Sequence, residues 1–139
     1  TYNGHPGMAG AALATIEKME TEPVHEHIFR LGERARVGLR EAFDDLGIPA
    51  VVTGFGSVWV SYFLDGPVVS YDDLLRNDAA LYVGYRRRLL EHGIFELPVN
   101  LKRNHFTYAH TDDHVDALVE STAACVAAEL SRRRVEVEG

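Results

Sequence analysis

From Gly7 to Met19 the apolar residues Met8, Ala11, Ala12, Ile16 and Met19, joined by Thr15, recur at three- and four-residue spacing. That period predicts a helix with one face built of small residues. Pro6 suits the first helical position, where its missing N–H costs nothing. A longer helix opens at Glu22–Pro23 and carries the stripe Val24, Ile28, Leu31, Ala35, Leu39, Phe43 and Leu46, with Gly47 as its stop. The period then falls to two. Ala50–Thr53 is a short β-prone run, Gly54-Phe55-Gly56 interrupts it, and Ser57–Leu64 alternates. Val58, Val60 and Tyr62 take one face, and Trp59, Ser61 and Phe63 the other. Both faces carry bulk, which predicts a strand covered on one side and partly on the other.

Asp65-Gly66-Pro67 ends that strand, and turns around Tyr71–Leu75 lead into a helix over 78–91, closed by His92-Gly93. Two further short strands are expected at 94–97 and 105–109. Thr111 is placed as an N-cap, with Asp112 and Asp113 complementing the dipole of a last helix that runs to about Ser131. The tail RRRVEVEG is expected to fray. The order α-α-β-β-α-β-β-α reads as an α+β fold: a short antiparallel sheet with helices on one side. The first helix fits this unit poorly, because its small-residue face suits close approach to protein the chain does not supply. Residues 1–20 are therefore set apart from a domain over 21–139.

Length and charge narrow the function. A chain of 139 residues is one domain with room for a core. Its net charge of −7 disfavours nucleic acid as the main partner. No run of about 18 apolar residues offers a membrane span. The single cysteine, Cys125, excludes an internal disulfide and is compatible with a cytoplasmic setting. His105 and His110 lack a third partner at useful spacing, so no metal site is assigned; His110 is read as organising the turn before the last helix. Arg86-Arg87-Arg88 reads as a solvated face. Trp59, Phe55 and Phe63 read as core or a contact face, and Gly54 and Gly56 as turn residues.

Two stretches then carry a resemblance. "TYNGHPGMAGAALATIE" resembles the G-T-[FY]-x-G-[NH]-P segment before the linker helix of class III pyridoxal-phosphate aminotransferases. "LPVNLKRNHFTYAHTDDHVDAL" resembles the C-terminal segment of the glutamate-1-semialdehyde aminomutase branch, and "VTGFGSVWVSYFLDGPVVSYDDLLRND" resembles that branch's strand pair and following loop. The motifs lie in order over nearly the whole chain.

The resemblance implies the linker helix and small C-terminal domain of a fold-type I pyridoxal-phosphate-dependent transferase. By it, Thr1 reaches the cofactor phosphate bound in the second subunit of a homodimer. It also implies an upstream large domain bearing the Schiff-base lysine, since neither Lys18 nor Lys102 stands in that context. The chain alone is then expected to be inactive. Lys102 occupies a position where the aminomutase branch carries glutamate. That departure favours a transaminase for an acidic amino acid or oxo acid, with Arg103 and Lys102 as substrate-binding residues. The aminomutase reaction, a non-catalytic binding module and one subunit of a split enzyme stay open as alternatives.

Overall fold

The computed structural model describes residues 4–138. Its sheet begins with a hairpin whose connection is only two residues long. β1 (Val51–Phe55) pairs antiparallel with β2 (Val58–Tyr62), Val52 opposite Ser61 and Gly54 opposite Trp59. Gly56 leads the turn at φ +55°, a left-handed conformation that glycine adopts without penalty. On its other edge β2 pairs antiparallel with β3 (Asn104–His105), giving the order β1-β2-β3.

Alternation along these strands decides which way the core faces. Val52, Trp59 and Ser61 share the inner face and are buried, and Phe63 continues it beyond the strand. On the outer face Thr53 and Phe55 are exposed, whereas Val60 is buried, so that face is only partly covered.

The helices close over the inner face. α2 (Val24–Asp45) buries Leu31, Ala35, Leu39 and Phe43 at the predicted spacing. α3 (Tyr71–Leu74) is a single turn closed by a Ser70–Asp73 capping box. α4 (Ala79–Glu91) buries Leu81, Tyr82, Tyr85, Arg86 and Leu89. α5 (Asp112–Glu138) buries Val115, Leu118, Cys125 and Val126. Phe63 links the layers, edge-on to Phe43 and Tyr85 with centroids 5.3 and 5.5 Å away. Burying such a ring stabilises by about 1.5–3 kcal/mol.

α2 crosses the hairpin turn at Gly32, where a Cβ would lie 2.0 Å from the Gly56 carbonyl oxygen. That same oxygen accepts from Arg36 Nη1 at 2.8 Å, which fixes helix to turn.

Three expectations change. Residues 94–97 form no strand, and β3 covers Asn104–His105 rather than 105–109. The last helix does not end near Ser131 but runs on to Glu138, with Arg132 bonded to both Glu129 and Glu136 one turn either side. Of the three-arginine run, Arg87 is exposed, Arg88 pairs with Glu129 at 3.0 Å, and Arg86 is fully buried. α1 (Pro6–Thr21) starts at Pro6 as expected and buries no residue. Its attachment comes at its far end, where Lys18 Nζ pairs with Glu22 at 2.7 Å and lies 5.2 Å from the Tyr108 ring centre.

Candidate functional site

Residues 94–103 have no sheet partner, so their backbone polar groups must be satisfied elsewhere. α4 supplies the partners. The Arg86 guanidinium lies 4.2 Å from the Tyr82 ring centre and donates from Nη1 to the Leu97 carbonyl at 2.8 Å. Nη2 donates to the Lys102 carbonyl at 2.9 Å, and the Tyr82 hydroxyl donates to that same oxygen. Arg86 Nε faces Glu96 Oε2 at 3.1 Å, and the Tyr85 hydroxyl donates to this carboxylate at 3.3 Å. Glu96 is only 6% exposed; burial pushes its carboxyl above the ordinary value, with the Arg86 charge acting in the opposite direction. At the loop tip, Asn77 Nδ2 donates to Asn100 Oδ1 at 2.7 Å while Asn77 Oδ1 accepts from the Phe63 N–H at 2.7 Å. Leu101 takes a left-handed conformation, φ +61°, inside this frame.

This frame presents two cations outward. Lys102 and Arg103 are both exposed, and among the described residues neither has a carboxylate partner. Arg30, Arg34, Arg36, Arg76, Arg88, Arg132 and Arg133 are all ion-paired. Arg103 Nε lies 3.3 Å from His105 Nε2. Beside Arg103 is a cavity of about 410 Å³, walled by Trp59, Phe106, Ile94 and Leu118 with Asn104, His105, His110, His114 and Glu96 at its polar edge. Trp59 and Phe106 stack there with centroids 4.3 Å apart. The volume suits a small molecule. A larger groove of about 870 Å³ between α2 and α5 has a rim whose charges neutralise one another, Arg30 on Asp112 and Arg34 on Asp116, which leaves less for a ligand.

The histidines act as turn builders. His110 Nδ1 accepts from the Thr107 N–H at 3.1 Å and meets the Thr107 hydroxyl at 2.9 Å. Four residues on, His114 Nδ1 accepts from the Thr111 N–H at 3.0 Å and meets the Thr111 hydroxyl at 3.0 Å. Thr111 stands just before α5, and His114 Nδ1 satisfies its backbone N–H from the place a capping box gives to Glu or Gln. An imidazole that accepts at Nδ1 carries its proton at Nε2. Among the described residues no cluster of three or more His, Cys, Asp or Glu could hold a metal.

Thr1 lies outside the described residues. The rest do not by themselves fit pyridoxal phosphate. Both lysines are exposed, and Lys18 is committed to Glu22, whose hydrogen bond raises the pKa of the amine and keeps it protonated.

Comparison with known proteins bears on the fold and the family. No family model matches the chain. A glutamate-1-semialdehyde 2,1-aminomutase from Thermus thermophilus is 34% identical over 122 residues, which is 87% of this chain and 29% of the relative. One from Desulfosudis oleivorans is 31% identical over 127 residues, 91% of this chain and 30% of the relative. A transaminase from Virgibacillus superposes with a TM-score of 0.75 at 20% identity, over 95% of this chain and 30% of that one. A Pseudomonas aeruginosa glutamate-1-semialdehyde aminomutase in complex with PMP gives 0.69 at 19% identity, over 77% of this chain and 24% of that one.

The chain belongs to the class III pyridoxal-phosphate-dependent aminotransferase family. Its fold is that of the C-terminal domain of these fold-type I transferases. It spans about three tenths of the length of the curated relatives. Within this class III chain the sequence brought out Lys102 and Arg103 but missed Arg86 and Glu96. The missed signal was spacing: Arg86 falls four residues after Tyr82 and three before Leu89, on the apolar stripe of α4.

Proposed function

We propose that this chain is the small-domain portion of a homodimeric pyridoxal-phosphate-dependent aminotransferase, which moves an amino group between an amino acid and an oxo acid or aldehyde. The supporting observation is the 34% identity maintained across 122 residues of the Thermus thermophilus relative. In this reading Arg103, with Lys102, binds a substrate carboxylate at the mouth of the cavity. A guanidinium suits that task because its planar fork can bond both carboxylate oxygens. Thr1 contacts the cofactor phosphate of the second subunit, as its motif implies. α1 connects to a large domain of the same enzyme, which carries the lysine. The cofactor, when bound in the complete enzyme, supplies the electron sink; the residues described here orient substrate and set charge around it. The enzyme works in the cytoplasm.

The isolated chain is then catalytically silent. Mixed with pyridoxal phosphate, it is expected to show no Schiff-base absorbance band, because neither Lys18 nor Lys102 stands in the family's Schiff-base context and Lys18 is paired with Glu22. A stoichiometric adduct on Lys18 or Lys102, trapped with borohydride and located by peptide mapping, would overturn this reading.

The second reading, isomerisation of glutamate-1-semialdehyde to 5-aminolevulinate, is favoured by the names of the curated relatives. Assaying the complete enzyme with that semialdehyde, and separately with an amino donor and an acidic oxo acid, distinguishes the two. Transfer to the oxo acid without 5-aminolevulinate supports the first reading, and the converse supports the second.

A further inference from the structure

The geometry points to Arg86 as the positioning residue for the Lys102–Arg103 pair: one buried guanidinium holds both ends of the loop that presents them. The inference rests on the assignment of that pair to the substrate, and it concerns a residue that never reaches the surface. Leu97 O and Lys102 O lie five residues apart in sequence, yet both accept from the terminal nitrogens of Arg86, at 2.8 and 2.9 Å. Between them the backbone closes on itself, Val99 N–H to Leu97 O at 2.8 Å and Lys102 N–H to Val99 O at 3.2 Å. The loop is thus a closed unit fastened to α4 at its base, with Arg103 leaving it one residue past the fastening.

Only arginine meets all the demands of this position. Its fork reaches two carbonyls while Nε faces Glu96 at 3.1 Å and its plane lies over Tyr82. A lysine would keep the charge opposite Glu96 but has a single nitrogen and cannot span both carbonyls. Both exposed cations then depend on the clamp. With the loop base fixed, the side chain of Arg103 needs only its own torsions ordered to meet a carboxylate. With the base loose, the backbone must be ordered as well, and that cost falls on acidic substrates specifically.

The test uses Arg86→Lys and Arg86→Gln in the complete enzyme. Glutamine keeps a polar head but has a single donor nitrogen that cannot span both carbonyls, so it supplies the same readings if Arg86→Lys fails to fold. Two quantities are measured: amide hydrogen exchange of residues 97–103, and KM and kcat for a carboxylate-bearing substrate and for an uncharged amine. Expected are faster exchange confined to 97–103 and a KM for the acidic substrate raised about tenfold, the scale of one lost charge-assisted contact. Its kcat, and both constants for the uncharged amine, should be nearly unchanged. Unaltered exchange in either folded variant overturns the clamp itself. Faster exchange with equal effects on both substrates overturns its role in positioning. Arg103→Ala separates the underlying assignment: if that variant leaves acid discrimination intact, the substrate reading of the pair has failed whatever the exchange shows.

Discussion

At Arg103 the reading of a carboxylate anchor makes a quantitative demand. Loss of a bidentate contact should cost on the order of 1.5–3 kcal/mol. Arg103→Ala in the complete enzyme is therefore expected to lower kcat/KM for an acidic substrate tenfold or more relative to an uncharged amine; equal losses would make the loop a bystander. Two other residues test the packing. Alanine at Gly32 would press its Cβ on the Gly56 carbonyl, a backbone atom that cannot rotate away. Gly32→Ala is expected to destabilise by about 1–3 kcal/mol, read as a lower urea midpoint. Thr122 is 2% exposed and its hydroxyl has no hydrogen-bond partner among the described residues. A buried hydroxyl without a partner is a net cost, so Thr122→Val should hold or raise the melting temperature, and a clear drop would reveal a partner.

Among the elements, α2 was legible because its apolar stripe keeps one period and packs on one side, and β2 because glycine turns bound its β-prone run at both ends, although both its faces bury residues. Ile94–Leu97 was not, because a β-prone run can be claimed by a tertiary partner, here the Arg86 fork on Leu97 O. The frayed tail was misjudged for a related reason: Arg132 and Glu136 look like solvated charges singly but bond along one helix face.

The caps also set acid sensitivity. Backbone N–H groups of Val69 and Ser70 hold the Asp73 carboxyl well down, at about 2 against an ordinary 3.8. Asp78 and Asp112 are lowered chiefly by their hydrogen bonds to Arg133 and Arg30, and Glu129 chiefly by Arg132. A carboxyl whose folded pKa is depressed lends stability above its unfolded pKa and loses it as pH falls through the folded one. Glu96, raised by burial, works in the opposite sense, its contribution fading as pH rises. Three aspartates and Glu129 outnumber it, so the melting temperature should fall between about pH 5 and pH 2, with α3 among the last caps to titrate. A melting temperature that is flat or rising over that range would contradict the assignment of these pairs.

At the scale of the whole molecule, α1 stands apart from the rest. Met8, Leu13, Ile16 and Met19 are 38–67% exposed, and the helix buries nothing. The small-residue face was visible in the sequence as helical spacing; what covers it could not be, because cover is a property of neighbours. The sheet and the buried core lie wholly between Leu31 and Val126, so deleting residues 1–20 is expected to leave thermal unfolding of the remainder nearly unchanged. Collapse on deletion would place α1 in the core.

One half-reaction tests the proposed amino transfer most directly. The complete enzyme, loaded with pyridoxal phosphate, is given an acidic amino acid with no acceptor present, and the cofactor absorbance is followed. Amino transfer requires conversion of the bound cofactor to its pyridoxamine form with release of the matching oxo acid in equal amount. An enzyme that binds the cofactor yet leaves both spectrum and amino acid unchanged, across acidic and uncharged donors alike, would contradict it.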